Sequence, residues 1–406
     1  MKNDTVVITG IGVVSPFGRG TQIFKESILN GKDGRSQVKR FNVEHEFFRT
    51  HYACNVNETH EALDEYDLSQ TPTIGVWAAQ EALNNAKLCI DEYDPYRIGV
   101  SMGTSSGGNQ SIARYLQQKH GLIEEDIDYD LLFSTSSTIA GKISSELQLK
   151  GLNATFNTAC SSGTTSIGFA MDMLQKGKAD VMLAGGADLV SEVTFSGFNC
   201  LQSLAPEMCQ PFSKNRKGLM LGEGSTVFVL EKKSDAEKRN AYIYGEILGY
   251  SAINEAYHET SPNPSGLGAY RVMKDAIDHA NIRVEDVDYI NMHGTSTPAN
   301  DSMELSAVKQ LFEGVQKDVK VSSTKSMIGH LLGAAGSIEL AATILAMEEE
   351  RLPPTIHFDE PMPEFADMDV VPNKAIEYKA QYALSNSFAF AGHLATIVIK
   401  KYQKGA

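Results

Sequence analysis

The 406-residue chain carries 36 basic and 51 acidic side chains, a formal net charge of −15, with 42% hydrophobic residues and a single Trp. That is a globular composition able to bury large cores, and at roughly 150 residues per unit the length suits two or three folding units or one large α/β fold. The acid excess argues against a nucleic-acid or anionic-membrane partner, since each needs a dominant basic face.

In chain order, the first predicted element is the strand TVVITGIGVV, Thr5 to Val14. Its apolar run is broken by Thr9, Gly10 and Gly12, and no small-residue cleavage site follows, so it does not read as a signal peptide. No window reaches the roughly 18 to 20 uninterrupted apolar residues of a membrane helix. The turn reads Gly10-x-Gly12-x-x-Ser15, lacking the third glycine of a dinucleotide fingerprint, which leaves a Rossmann dehydrogenase as a weak alternative. Ala78 to Thr104 follows as an amphipathic helix, an acidic loop, a short apolar strand and a Gly-Thr turn. Around Ala154 to Leu174 a strand, a turn and a helix appear, the helix with Ile167, Ala170, Met171 and Leu174 on one stripe.

Strands ADVMLAGG and STVFVLEKK come next, and KKSDAEKRNA reads as a polar connector, dividing the chain into halves 1–240 and 241–406. The second half repeats the first. Tyr270 to Thr295 lines up with Ala78 to Thr104, at offsets of 280 − 86 = 194 and 294 − 103 = 191, and Val319 to Met347 echoes Ala154 to Leu174 more softly. Strands KVSST and ATIVIKK complete an alternation that predicts layered sheets covered by helices. Two similar α/β halves place their loops face to face, a natural position for one shared active site.

The five cysteines, Cys54, Cys89, Cys160, Cys200 and Cys209, form neither a disulfide framework nor a CxxC pattern, so a reduced, cytoplasmic protein is expected. Cys160, in FNTACSSGTTSIG, sits where a strand turns into a helix. Free amide groups and the macrodipole there favour thiolate, and the turn lifts a nucleophile into a cleft. The plainer alternative is one more inert, buried thiol. His293 ends the strand VDYINMHGTST, and His330 lies five residues after Lys325 in STKSMIGHLLGAAGSIEL. Paired histidines in such turns point to catalysis. A metal site is the rival reading, without an HExxH or a close carboxylate pair to support it. Gly329, Gly333, Ala334, Ala335 and Gly336 imply close backbone approach.

The motifs TACSSG, HGTSTPANDSMEL, SSTKSMIGHLLGAAGSIE and NSFAFAGH stand in the order and spacing of one family. From Val6 to Lys401 the chain resembles the β-ketoacyl-ACP synthases of the thiolase superfamily, most nearly the type II elongating condensing enzymes of fatty-acid or polyketide synthesis. The resemblance implies a duplicated αβαβα layered sandwich. It implies that Cys160 accepts the acyl group, that His293 and His330 donate hydrogen bonds to a malonyl thioester enolate, and that the N–H groups of Cys160 and Phe390 form an oxyanion hole. Lys325 is then the lysine of the site's hydrogen-bond network, with Asp301 and Glu339 as its carboxylate companions. Thr295 and Thr297 contact the pantetheine arm. No metal or nucleotide is implied, since the substrates ride on the phosphopantetheine of an acyl carrier protein. The other implied partner is a second subunit, either an identical copy or a ketosynthase-like chain-length subunit.

Three departures from the family pattern stand out. The usual FGFGG turn is Phe388-Ala389-Phe390-Ala391-Gly392, so two positions free to take positive φ have gained a Cβ. The resemblance implies that this loop swings Phe390 as a gate, a swing the alanines make narrower or costlier. Ser105 and Ser106, together with the stretch Phe133 to Thr138, predict a hydroxyl-lined acyl pocket for a wider or more polar chain, as in a polyketide or polyene pathway. The basic residues expected before the helix at Thr73 are replaced by DLSQTPT, leaving Lys214, Arg216 and Lys217 to dock the acidic carrier. The contrasting reading, a non-catalytic chain-length partner, is disfavoured because such partners lack the reactive cysteine. A thiolase acting on coenzyme A thioesters is disfavoured because no cysteine follows Cys209.

Overall fold

Strand β1, Val6–Ser15, is buried along its whole length. In this computed structural model, which describes residues 4–56, 70–124, 135–316 and 319–403, β1 sits mid-sheet. A Cβ on Gly10 would lie 2.1 Å from the Ala82 carbonyl oxygen, and one on Gly12 would lie 1.9 Å from that of Ala78. The two glycines therefore let helix α1, Gln70–Ala86, press onto β1. Close helix packing accounts for the glycines of the partial fingerprint.

The first half continues with strand β2 (Ile98–Gly103), helix α2 (Thr138–Glu146), strand β3 (Asn153–Phe156), helix α3 (Ser162–Gln175), strand β4 (Val181–Asp188) and strand β5 (Gly224–Lys232). The second half follows the same order: β6 (Gly245–Asn254), helix α4 (Leu267–His279), β7 (Tyr289–Asn291), helix α5 (Pro298–Leu311), β8 (Lys320–Ser322), helix α6 (Ala335–Glu348), β9 (Tyr382–Phe388) and β10 (His393–Lys401). The stretch expected as a polar connector holds a short helix, Lys233–Lys238.

Strand order is β8-β7-β9-β10-β6-β1-β5-β4-β2-β3. Each half reads the same from its outer edge inward, and the halves meet where β1 runs antiparallel to β6, Val6 opposite Ile247. β2 is parallel to β3 and β4, as β7 is to β8 and β9. The helices sort into layers by their apolar faces. One core joins α1 and α2 to the first half of the sheet. A second joins α4 and α5 to the other half. The third lies between the halves around α3 and α6. Ala335 to Met347 of α6 are all buried, as a helix enclosed on every side must be. The layers form the expected αβαβα sandwich.

Both sequence echoes map onto this repeat: α1–β2 on α4–β7, and β3–α3 on β8–α6. Phe133, Ser134 and the segment Asp67 to Ser69 lie outside the described residues.

Candidate active site

Cys160 lies in a one-turn 3-10 helix, Ala159–Ser161, that runs directly into α3. The backbone enters this turn through Ala159 at φ 49°, a left-handed conformation that costs an alanine about 1–2 kcal/mol. The thiol is buried and faces a cavity of about 390 Å³ lined also by His293, His330, Thr295, Thr297, Phe388 and Phe390. Burial pushes its pKa up to about 12, while Lys325 and the N–H groups of Phe390 and Cys160 itself pull the other way.

The second half supplies the remaining chemistry. His330 Nε2 lies 3.0 Å from Cys160 Sγ, and its Nδ1 accepts the N–H of Leu332 at 3.2 Å. The Lys325 ammonium donates to His293 Nδ1 at 3.1 Å and to Glu339 Oε1. With a donor already facing each Nδ1, we assign the ring hydrogen of both histidines to Nε2. The two rings stand edge to face, 5.3 Å between centroids. Burial, and then the charge of Lys325, holds both well below the usual histidine pKa. They are neutral N–H donors at physiological pH.

This arrangement also answers the metal alternative. Cys160 Sγ and one ring nitrogen from each histidine lie within 4.8 Å of one another, close enough to ligate an ion. A ligating imidazole, however, gives its outer N–H to a carboxylate or carbonyl. Here both outer nitrogens face donors, so the inner nitrogens carry hydrogen and have no lone pair to offer. The donor set does not fit a metal.

Glu339 pairs with Lys325 as expected, both side chains fully enclosed. Burial raises the Glu339 carboxyl to about 7, against the pull of Lys325. Asp301 does not join them, contrary to expectation. Its carboxylate accepts the N–H of Phe212 at 2.8 Å and of Ser296 at 3.1 Å, and Arg216 lies 3.6 Å away. The carboxylate that does buttress a histidine is Glu304, one turn along α5, which accepts the N–H of His293 and of Gly294, each at 2.8 Å. Burial pushes Glu304 up to about 7. Asp301 and Glu304, three apart, share a helix face, and that spacing was the signal available for the missed residue.

Other expectations divide. Thr295 and Thr297 line the cavity with their hydroxyls 2.9 Å apart. The Ser106 hydroxyl turns away from any acyl chain, donating to Asp188 and to the Leu189 carbonyl, so the hydroxyl-lined pocket fails there. Arg216 is a second correction. Its side chain is 8% exposed and donates to Ser213, Pro298 and Ser302. Lys214 pairs with Glu360 at 3.1 Å. Of the expected docking cluster only Lys217 lies at the cavity mouth. Within the Phe388–Gly392 loop, Ala389 is extended at φ −128° and needs no glycine, whereas Ala391 is left-handed at φ 59°. Phe390 stacks on Phe198, 5.7 Å between centroids, a ring partner with no motif to announce it.

Residues 3–236 match the family model described as Beta-ketoacyl synthase, N-terminal domain, and residues 244–359 match its C-terminal domain. The chain is 37% identical to 3-oxoacyl-acyl-carrier-protein synthase 2 of Staphylococcus aureus (strain COL), covering 99% of both chains. To the synthase 2 of a Synechocystis strain it is 36% identical with the same coverage. Among solved structures, the ishigamide ketosynthase/chain length factor superposes with TM-score 0.92 at 32% identity, over 99% of this chain and 100% of that one. A type II polyketide ketosynthase in complex with its acyl-carrier protein and bound to the hexaketide gives TM-score 0.90 at 30% identity, with the same coverage. Among the described residues no helix is long and apolar enough to cross a membrane.

Proposed function

We propose, from the premise that the chain belongs to the β-ketoacyl synthase family, a division of two half reactions among the residues of this cavity. The protein is a condensing acyltransferase, a β-ketoacyl-acyl-carrier-protein synthase. In the first half reaction Cys160 Sγ attacks the carbonyl of an acyl thioester. The tetrahedral oxyanion takes hydrogen bonds from the N–H groups of Cys160 and Phe390, and the pantetheine thiol leaves with the proton. In the second, the bond between Cα and the carboxylate of malonyl-ACP breaks and carbon dioxide departs. The resulting enolate oxygen accepts the Nε2–H of His293 and of His330. Its carbon attacks the acyl carbonyl on Cys160, the sulfur leaves as thiolate and takes up one proton from solvent to restore the thiol, and β-ketoacyl-ACP is released.

The observation that carries this reading is the pair of outward donors, Leu332 N–H and the Lys325 ammonium, which make both histidines donors toward the sulfur. Lys325 also brings positive charge to a cavity that must accept a malonyl carboxylate. The non-catalytic chain-length reading is not favoured, since it leaves Cys160 and the two histidines without a task.

Several finer points belong to the same reading. The acyl groups arrive on the phosphopantetheine of an acidic acyl carrier protein, with no resident metal or nucleotide. Lys217, exposed at the cavity mouth, is the cation we assign to docking. A second ketosynthase-like subunit, identical or of the chain-length kind, pairs with this one. The half-exposed edge of the sheet at β3 supports that pairing. The halves divide at 240/241, and five free thiols suit a reducing cytoplasm. The test is intact-mass analysis after mixing the protein with acyl-ACPs. One acyl group is expected on the parent and none on Cys160→Ala, a loss of at least about 10⁴-fold in transfer. Acylation of Cys160→Ala at Cys89 or Cys200 would overturn the assignment.

A further inference from the structure

Asp188, the last residue of β4, is fully buried and is not among the residues assigned above. Its carboxylate gathers five hydrogen bonds. Four come from the turn after β2: the Thr104 hydroxyl at 2.7 Å, Ser105 N–H at 2.7 Å, Ser106 N–H at 3.1 Å and the Ser106 hydroxyl. The fifth comes from the other half of the molecule, the N–H of Gly333 at 2.7 Å.

That fifth bond leads to the catalytic groups. Gly333 follows Leu332, which is held at φ 51° and whose N–H occupies His330 Nδ1, while His330 Nε2 meets Cys160 Sγ. A chain of contacts thus runs from Asp188 through Gly333 and Leu332 to His330 and the sulfur. We infer that Asp188 is a positioning residue, which anchors the left-handed turn at Leu332 so that His330 keeps its hydrogen on Nε2 and its donor aimed at the reacting atoms.

Two observations exclude simpler roles. Activation of the thiol is not the reason for the carboxylate, because the charge of Asp188 opposes ionisation of Cys160. Direct contact with substrate is not the reason either, because five donors occupy the carboxylate and it lies outside the cavity lining. What remains is the join between the two halves, where an acceptor with several lone pairs is needed to satisfy five converging donors.

The inference rests on reading His330 as a donor to the enolate, so its test separates the two. Asp188→Asn replaces acceptor capacity with an NH₂ that confronts the Ser105 and Gly333 N–H groups. Malonyl-ACP decarboxylation on acyl-loaded enzyme is expected to fall about tenfold in kcat, a fraction of what deleting an oxyanion donor costs, with KM within threefold and Cys160 still acylated. On ¹⁵N-histidine-labelled protein, the His330 ring is expected as one Nε2–H tautomer in the parent and as a mixture in the variant, a signature that a merely structural role would not produce. If Asp188→Asn does not fold, Thr104→Val and Ser106→Ala each remove one bond and should give about a twofold to threefold fall with partial tautomer mixing. A pure Nε2–H tautomer and parental kcat in the folded variants would overturn the role of Asp188 and leave the condensing reading standing. Failure of the parent to acylate Cys160 would instead strike the reading on which it rests.

Discussion

Ala159 and Leu332 hold equivalent places in the two halves of the molecule. Each has positive φ, 49° and 51°, and each opens a 3-10 turn that runs into a helix of 14 residues. The spacing is constant, with 332 − 159 = 173 and 335 − 162 = 173. At the next position the halves part. The first has Cys160, with its thiol in the cavity; the second has Gly333. A Cβ on Gly333 would fall 2.4 Å from Ser105 N and from the Thr104 carbonyl carbon. The second copy of the turn therefore has no room for a side chain where the first copy carries its nucleophile. Its half contributes donors from flanking positions instead, His330 just before the turn and His293 beyond the end of β7. The repeat presents one backbone device twice, and the two copies differ in what they bring to the cavity.

If the second half is the donor half, removing its donors should spare the first half reaction. His293→Ala and His330→Ala are each expected to retain acyl transfer to Cys160 while lowering carbon dioxide release by on the order of 10²-fold or more. Carbon dioxide release from malonyl-ACP and intact-mass acylation, measured on the same preparations, check this. Equal loss in both steps would make the histidines structural and dissolve the contrast.

Restoring a side chain to the second turn attacks the comparison from the other side. Gly333→Ala forces a methyl against backbone atoms that cannot rotate away. We expect a loss of about 3 kcal/mol, the scale of strong overpacking, read as a lower midpoint in urea unfolding. A variant of parental stability would mean that the two helix starts tolerate separation and that Gly333 is not the reason the nucleophile exists once.

The titration of Cys160 measures how far the first turn itself activates the thiol. Its pKa is raised to about 12, burial outweighing Lys325 and the two N–H donors. Because the thiolate is the reactive form, iodoacetamide alkylation of Cys160 should rise about tenfold per pH unit from pH 7 to 10, the slope for a group still far below its pKa. A plateau near the ordinary thiol value, about 8.5, would show that the helix start and its donors win over burial.

Much of this site was readable from residue order, and the failures share a cause. Cys160, His293 and His330 stand at turns and strand ends, where local pattern marks where a side chain goes, whereas the roles of Lys325 and Glu339, the latter inside α6, are legible only through the family resemblance. The resemblance implies Asp301 as a companion of Lys325, but one helix face carries both Asp301 and Glu304, and packing sends Asp301 to the Phe212 and Ser296 N–H groups and Glu304 to those of His293 and Gly294. Lys214, Arg216 and Lys217 look like one basic patch in sequence. The loop turns Arg216 inward to Asp301 and leaves Lys217 at the mouth. Asp188 closes an apolar strand and carries no motif, since its five donors come from segments 82 and 145 residues distant. The repeat itself was legible through the offsets near 191, but not the sheet order, because no residue pattern records which strands meet across β1 and β6.

The smallest expected effect concerns the loop that the resemblance implies is a gate, where the two alanines of Phe388-Ala389-Phe390-Ala391-Gly392 are unequal. Ala389 is extended, so Ala389→Gly should cost about 0.5–1 kcal/mol through added freedom in the unfolded chain. Ala391 is left-handed at φ 59°; Ala391→Gly relieves about 1–2 kcal/mol of strain and adds a similar unfolded-state cost, leaving stability within about 1 kcal/mol of the parent. Its consequence lies in motion. Phe390 is held by its stack on Phe198, and the loop by Ala391 N–H to Glu259 at 2.7 Å and Asn254 to the Ala391 carbonyl at 2.7 Å. A swing of Phe390 must break those bonds and carry residue 391 into other backbone conformations, which glycine reaches more readily than alanine. Competition among acyl-ACPs of increasing length should therefore show Ala391→Gly accepting the bulkiest chains up to about fivefold better, about 1 kcal/mol in the barrier, with Ala389→Gly changing the profile less. Identical profiles for both variants and the parent would mean that the gate does not limit acyl loading, and that the alanine at 391 is strain the loop carries without functional consequence.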